Sequence, residues 1–325
     1  MPTVAVVGAG SLQGRELLSE VESRRDVHKV LLLSERAAGT ELPFRGSDLV
    51  IEELDEDALA GKPEVVFFAS GADRSRRWAR RFAAAGSRVV DLSSAHRLDP
   101  EVPLLGLGGQ AIARLSSVPG AAALAAGRLL APLFGQGRLQ GAHCAATLLV
   151  PVSSAGQAGV MELSKQTADL LGGRPAKPRK FSHRIAFNLV PEVGEQETPG
   201  EGDTSLERSF RAEVRRLWAL PDLPVSVTAV RVPVFFGLSL VLSGSNGDPR
   251  AEDVLRRAHG KASGGIKLLD RSGALPMPSL SVGDSSILAG RIRSDEAGGF
   301  ELFATADALK LVAACAVTAA LGPPL

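Results

Sequence analysis

The chain begins with a short apolar run, Thr3-Val4-Ala5-Val6-Val7. The run ends in the turn Gly8-Ala9-Gly10-Ser11, and the next segment carries Leu12, Leu17, Leu18 and Val21 on one helical face. A buried strand handed by a glycine turn to an amphipathic helix is the first half of a βαβ unit, which limits what can follow. The pattern recurs: apolar runs at 28–33, 64–69 and 87–92 are separated by amphipathic stretches, one of them carrying Trp78 and Phe82. Strands alternating with helices at this spacing predict a parallel, doubly wound sheet in an α/β protein.

The glycine turn carries chemistry as well as topology. Gly8, Gly10 and Gly14, with Ser11, Leu12 and Gln13 between them, depart from G-x-G-x-x-G by one extra residue before the last glycine. Glycines there permit a tight turn and close approach to a pyrophosphate, whose charge the helix N-terminus favours. A turn that binds nothing is the competing reading. The second strand ends in Ser34-Glu35-Arg36, where an acidic side chain suits a ribose 2′-hydroxyl and an arginine suits a 2′-phosphate. Both types are present, so NAD and NADP stay open. Ser34, Arg36 and the pair Ser70-Gly71 after the third strand complete the candidate nucleotide positions.

The second half differs in texture. Runs at 144–152, 225–234, 238–242 and 300–304 read as longer strands compatible with antiparallel pairing, and 191–203, rich in Glu, Pro and Gly, reads as a mobile surface loop. An alanine-rich helix is expected over 307–321, buried on most faces and able to return by a long crossover to the first half.

Charge and cysteine content exclude several classes. Over 325 residues, 37 Lys and Arg nearly balance 36 Asp and Glu, which argues against nucleic acid and anionic membrane surfaces as partners. The cluster Arg74, Arg76, Arg77, Arg80 and Arg81 reads as a solvated helix face. Two cysteines, Cys144 and Cys315, with no C-x-x-C pair exclude a disulfide scaffold and a thiolate zinc site and fit a reducing cytoplasm. Cys144 lies in an apolar strand, as an inert thiol would. No spaced histidine pair points to a metal. No signal peptide is read at the N-terminus, and the apolar stretch 309–321, interrupted by Lys310, is short for a membrane span.

Several segments in order resemble the aspartate-semialdehyde dehydrogenase family. These are Val4-Ala5-Val6-Val7-Gly8-Ala9, Val90-Asp91-Leu92-Ser93-Ser94-Ala95-His96-Arg97, Ser153-Ser154-Ala155-Gly156, Ile185-Ala186-Phe187-Asn188-Leu189-Val190-Pro191, Arg231-Val232-Pro233-Val234, Val282-Gly283-Asp284 and Gly290-Arg291-Ile292-Arg293. Each string is weak, but together they span nearly the whole chain. The resemblance implies a Rossmann-type dinucleotide-binding domain over 1–126 completed by 307–325. It also implies a substrate and dimerisation domain with a mixed sheet over 127–306, a homodimer, and NADP as cofactor. Family enzymes reduce aspartyl phosphate through a cysteine thiolate, with a histidine moving the proton and arginines holding the anionic ends of the substrate.

Carried over position by position, the resemblance divides. Where the family reads Pro-Asn-Cys, this chain reads Pro119-Gly120-Ala121, followed by Ala122, so Ala121 stands in the nucleophile's place. The glutamine before the Ser-Gly-Ala-Gly segment is Val150, and the histidine seven residues after the substrate arginine is Leu238. The Glu/Lys phosphate motif is eroded at 206–209, and Ala308 follows Asp307 where the family has asparagine. Arg97 and Arg231 remain as candidate anion-holding residues. A nucleophile and its proton-transfer partner act as a unit, so loss of both predicts a protein without the family's dehydrogenase activity and with a binding or regulatory role. The alternative is an NADP(H)-dependent oxidoreductase acting on a small anion by altered chemistry, since direct hydride transfer needs no cysteine. His96 reads as an exposed loop residue, and a serine at position 11 is expected to strain the turn if φ is positive there.

Overall fold

The computed structural model describes residues 2–108, 112–135, 141–196, 202–260, 265–269, 273–296 and 298–323. Residues 197–201 of the 191–203 loop lie outside the described residues. The chain divides into two units, one of Met1–Gly120 with Val312–Leu325 and one of Ala121–Leu311.

In the first unit the elements run β1 (Thr3–Val7), α1 (Leu12–Glu22), β2 (Lys29–Ser34), β3 (Glu41–Phe44), β4 (Ser47–Glu53), α2 (Glu56–Ala60), β5 (Val65–Phe68), α3 (Ala72–Ala84), β6 (Arg88–Asp91) and β7 (Leu115–Ser117). They form one sheet of order β3-β4-β2-β1-β5-β6-β7. Its pairs are parallel except the β3–β4 hairpin, so the doubly wound sheet is present with a hairpin added at one edge. Continuous Val/Phe runs suit strands covered on both faces: every residue of β5 is buried. Phe68 meets Phe82 of α3 edge to face at 6.0 Å, and Trp78 packs beside them.

The second unit holds α4 (Ala121–Phe134), β8 (His143–Val150), α5 (Gln157–Leu171), α6 (Ser205–Leu217), β9 (Val225–Arg231), β10 (Leu238–Ser245), α7 (Ala251–His259), β11 (Ile266–Leu268), α8 (Pro278–Ser281), β12 (Ile287–Ser294) and β13 (Phe300–Ala306). The mixed sheet runs β11-β12-β13-β10-β8-β9. β12, β13, β10 and β8 pair antiparallel in turn, and the parallel pairs lie at the two edges. Phe134 stacks against Trp218 at 4.7 Å, and the indole Nε1 donates to the Gly127 carbonyl at 3.1 Å. Along β8 the odd-numbered side chains from Ala145 to Leu149 are only partly covered while their neighbours are buried. With Val241 of β10, 40% exposed, they give the sheet one open face.

The last helix, α9 (Ala308–Leu321), starts one residue later than expected because Asp307 caps it, accepting from the amides of Leu309 and Lys310 at 3.1 Å each. From Val312 onward α9 belongs to the first unit. Arg24 closes its far end by donating to the Leu321 and Gly322 carbonyls at 2.8 and 2.7 Å. No helix among the described residues is long and apolar enough to cross a membrane.

His259, at the end of α7, is 6% exposed and its Nε2 lies 2.8 Å from the Leu129 carbonyl. Burial pushes its pKa down, partly opposed by that carbonyl. The fold therefore favours the neutral ring relative to the unfolded chain, where histidine titrates at about 6.5. This stability is complete above that value and is lost as pH falls through the lower folded value. Thermal melts between pH 7.5 and 5 should show a falling Tm, and His259→Gln should flatten the slope across that window; an unchanged slope would refute the assignment.

Candidate functional site

The nucleotide loop is built by close backbone packing. Gly8 has φ +89°, and a Cβ there would sit 2.9 Å from the Ala69 carbonyl oxygen. A Cβ on Gly14 would fall 2.2 Å from the Gly8 oxygen. Gly10 is different: the nearest atom to its Cβ position is Ala37 Cβ at 3.7 Å, so the fold leaves room there. Ser11 corrects the expectation of strain, because its φ is −78°. It is the N-cap of α1, accepting from the Gly14 amide at 2.9 Å and donating to the Ala69 carbonyl at 3.0 Å. Half-buried Leu12 and Gln13 form the first turn behind it. Ser70, whose Cβ lies against the Gly8 position, has a buried Oγ without a partner among the described residues. Gly71 opens α3 with no side-chain cap. Glycine turns, helix amides and an unsatisfied hydroxyl at the ends of the neighbouring strands β1 and β5 fit a pyrophosphate.

At the end of β2 the structure separates residues that the sequence left equivalent. Glu35 accepts from Arg74 Nε at 3.1 Å, Arg77 at 3.1 Å and Trp78 Nε1 at 3.0 Å, all on α3. Burial would raise its pKa, but the bonds from Trp78 and Arg74 and the charges of Arg77 and Arg74 outweigh it and hold the carboxylate ionised. The Ser34 hydroxyl accepts from the amides of Arg36 and Ala37 at 3.2 Å each, setting the turn. Arg36 is exposed and pairs with no described acid. The acidic side chain is thus committed to α3 while the arginine beside it remains available. The other α3 arginines are paired too, Arg76 with Asp73, Arg80 with Asp99 and Arg81 with Glu56, as a solvated helix face requires.

The segment after β6 departs from its reading at His96, which is 4% exposed rather than open to solvent. Its Nδ1 lies 2.8 Å from Asp91 Oδ2. Asp91, wholly buried, also accepts from Ser75 Oγ at 2.7 Å, the Ser93 amide at 2.8 Å and Ser93 Oγ at 3.0 Å. Burial alone would raise the Asp91 pKa, yet the bonds from His96, Ser75 and Ser93 bring it below the ordinary value. This knot ties α3 to the loop carrying Arg97. The Arg97 guanidinium donates to the Val118 and Leu92 carbonyls at 3.0 and 2.8 Å, across the carboxyl ends of β7 and β6.

Arg231, the last residue of β9, is 8% exposed. It donates to the Pro151 carbonyl at 3.2 Å and to Ser154 Oγ at 2.7 Å, and its guanidinium lies 4.9 Å from the centre of the Phe181 ring. No carboxylate among the described residues pairs with it. Burial lowers its pKa, but a guanidinium remains charged at neutral pH. Arg231 is thus a buried cation held by neutral groups beside exposed Ser154, an arrangement whose charge can be offset by an anion.

At the positions that the resemblance assigns to the nucleophile, the glutamine and the histidine stand Ala121, Val150 and Leu238, none of which carries a polar side chain. Ala121 is the first residue of α4, a place where a helix N-terminus would have favoured a thiolate. Val150 ends β8 at 4% exposure and Leu238 starts β10 at 3%. Cys144 is no substitute, because burial pushes its thiol pKa up to about 12. In the 206–209 stretch Glu207 is spent structurally: it accepts from Thr204 N and Oγ1 at 2.7 and 2.9 Å and from the Ala229 amide at 2.8 Å.

Residues 3–107 match the semialdehyde dehydrogenase NAD-binding domain and residues 130–310 its dimerisation domain. Aspartate-semialdehyde dehydrogenase of Mycolicibacterium smegmatis is 34% identical, covering 97% of this chain and 96% of the relative. The USG-1 protein homolog of Azotobacter vinelandii is also 34% identical, over 94% and 92%. Among solved structures, aspartate-semialdehyde dehydrogenase II from Vibrio cholerae complexed with ASA superposes with TM-score 0.89 at 27% identity, covering 98% of this chain and 97% of that one. A probable aspartate-semialdehyde dehydrogenase from Pseudomonas aeruginosa gives 0.88 at 33% identity, with the same coverage. The chain belongs to the aspartate-semialdehyde dehydrogenase family.

Proposed function

We propose that this chain binds NADP(H) and a small anion but does not carry out the thiolate-dependent reaction of its family, and serves a binding or regulatory role. The observation that carries this reading is Ala121 at the start of α4 together with Leu238 packed into the second unit's core. Neither side chain can attack a carbonyl or move a proton. In this reading the first unit, with α9, is the nucleotide-binding body. The second is the anion-binding and dimerisation body, its partly open sheet face meeting a second copy. The cytoplasm, suggested by cysteine content, is its setting.

The cofactor preference rests on Glu35 and Arg36. With Glu35 held by three donors on α3, reading a ribose 2′-hydroxyl would require breaking those bonds. Arg36 is unencumbered and suits a 2′-phosphate. The alternative, a dehydrogenase of altered chemistry, draws on the unpaired cation of Arg231, which keeps a place for an anionic substrate.

Two measurements test this. Titration calorimetry should show NADPH binding at least about tenfold more tightly than NADH, a difference of roughly 1.4 kcal/mol, and Arg36→Gln should erase the difference. A steady-state assay with aspartate semialdehyde, phosphate and NADP should give no rate above blank. A robust rate would overturn the non-catalytic reading, and equal affinity for the two nucleotides would overturn the assignment to Arg36.

A further inference from the structure

A second feature lies in the second unit, along α5. The chain from 170 to 191 contains no acidic residue, yet Arg174, Lys177, Arg179, Lys180 and Arg184 fall within it. The formal charge of the whole chain is only +1, so this is a strong local excess. All five cations are exposed. Arg174 shares Asp169 with Lys165 at 3.0 and 3.1 Å, whereas Lys177, Arg179 and Lys180 pair with no acid among the described residues.

Lys177, Arg179 and Lys180 border a groove of about 640 Å³ between α5 and the following segment, residues 172–186 (the strap), lined also by Ala158, Met161, Pro175 and the paired Lys165 and Asp169. Met161 is 62% exposed and offers its thioether side chain as the largest apolar surface in the groove's lining. The polar groups beneath are already satisfied. Glu162, 8% exposed, accepts from Gln166 Nε2 at 2.9 Å, the Arg179 amide at 3.1 Å and the Lys180 amide. Gln166 Oε1 accepts from the amides of Ile185 and Ala186 at 2.9 and 3.1 Å. Two buried side chains of α5 therefore pin the strap's backbone and leave its cations facing outward. That is preorganisation, which reduces the entropy lost on binding.

We propose that this groove is a docking site for an acidic peptide segment bearing an apolar anchor residue. Uncommitted cations over an apolar floor match carboxylates flanking an aliphatic side chain. A nucleic acid fits less well, because no aromatic ring among the described residues lines the groove to stack a base. The groove's lining includes neither the nucleotide loop nor Arg231; Phe181 of the same segment packs on Arg231, so the probe's binding to the triple variant is read separately from NADPH binding.

The test is fluorescence anisotropy on the full chain with a labelled twelve-residue probe of alternating Asp and Glu around one central leucine. Micromolar binding is expected, weakening at least about tenfold when salt rises from roughly 50 to 300 mM. The triple substitution K177E/R179E/K180E, on exposed side chains whose backbone remains pinned, should weaken binding at least tenfold without shifting the melting curve. Replacing the central leucine by serine should weaken it several-fold. The proposal is overturned if the triple variant binds the probe as the parent does, or if the parent shows no binding. It is also overturned if the leucine makes no difference and oligo-dT of equal charge competes equally, since the surface would then be a general polyanion binder. Should the triple variant melt early, the leucine-to-serine probe and the salt series on the parent decide the matter unaided.

Discussion

Replacing Gly14 by alanine is expected to disrupt the nucleotide loop and the local fold together. The added Cβ would sit 2.2 Å from the Gly8 carbonyl oxygen and 2.7 Å from Ala9 Cα, both backbone atoms with little freedom to move. Overpacking of this kind typically costs 1–3 kcal/mol and sometimes more, and here the displaced atoms form the cradle itself. NADPH titration should show at least about a hundredfold loss of affinity, roughly 2.7 kcal/mol, with a clear fall in Tm. Gly10→Ala is the informative partner because its Cβ meets only Ala37 Cβ at 3.7 Å. It should melt like the parent, and any affinity it loses reports crowding of the ligand. Retained NADPH binding in both variants would refute a pyrophosphate seat at this loop.

Removing the carboxylate at Asp91 is expected to have the largest effect on stability. It accepts from Ser75, Ser93 and His96 while fully buried, so Asp91→Ala strands several polar groups at once. Breaking a buried charged cluster by deleting one member costs about 3–5 kcal/mol, which corresponds to a Tm fall of roughly 10 °C for a unit of this size. The carboxyl's folded pKa lies below its unfolded value of about 3.9. Its contribution is therefore present above that pH and disappears as acid drives the pH through the folded value. Denaturation followed from pH 5 to 2 should show this added loss in the parent and not in Asp91→Ala. His96→Phe, which removes one donor but spares the carboxylate, should fall between the two. If Asp91→Ala melts within a degree or two of the parent, the knot is not a stability element.

Why some of this was legible from residues alone, and some not, follows from the range of the interactions. The first strand, the glycine turn and the face of α1 are local, so their pattern survives in twenty residues of sequence. The hairpin β3–β4 escaped because β3 has only four residues and in β4 only Ile51 is buried, too little apolar surface to stand out in the sequence. Helix α4 escaped for the opposite reason: Ala122 through Gly127 are all buried, leaving no polar face to mark the period. At the candidate sites, residue types could be assigned but their commitments could not. Glu35 is claimed from 39 to 43 residues away, and Arg231 meets Ser154 across 77. The burial of His96 had a signal available, an aspartate five residues earlier at a strand end, but only the folded loop brings the two together.

The burial of Leu238 and Val150 bears on the history open to this protein. On the proposed reading both stand where family enzymes carry polar, reactive side chains, and both are now part of a dry interior, 3% and 4% exposed. Restoring an imidazole or an amide there by a single substitution would bury a polar group that must find its hydrogen-bond partners within the folded interior. Unless they are at hand, that is an unfavourable step before any activity returned to offset it. The path back to chemistry passes through less stable intermediates, so the loss behaves as a ratchet, and selection on descendants of this chain acts on what it can hold.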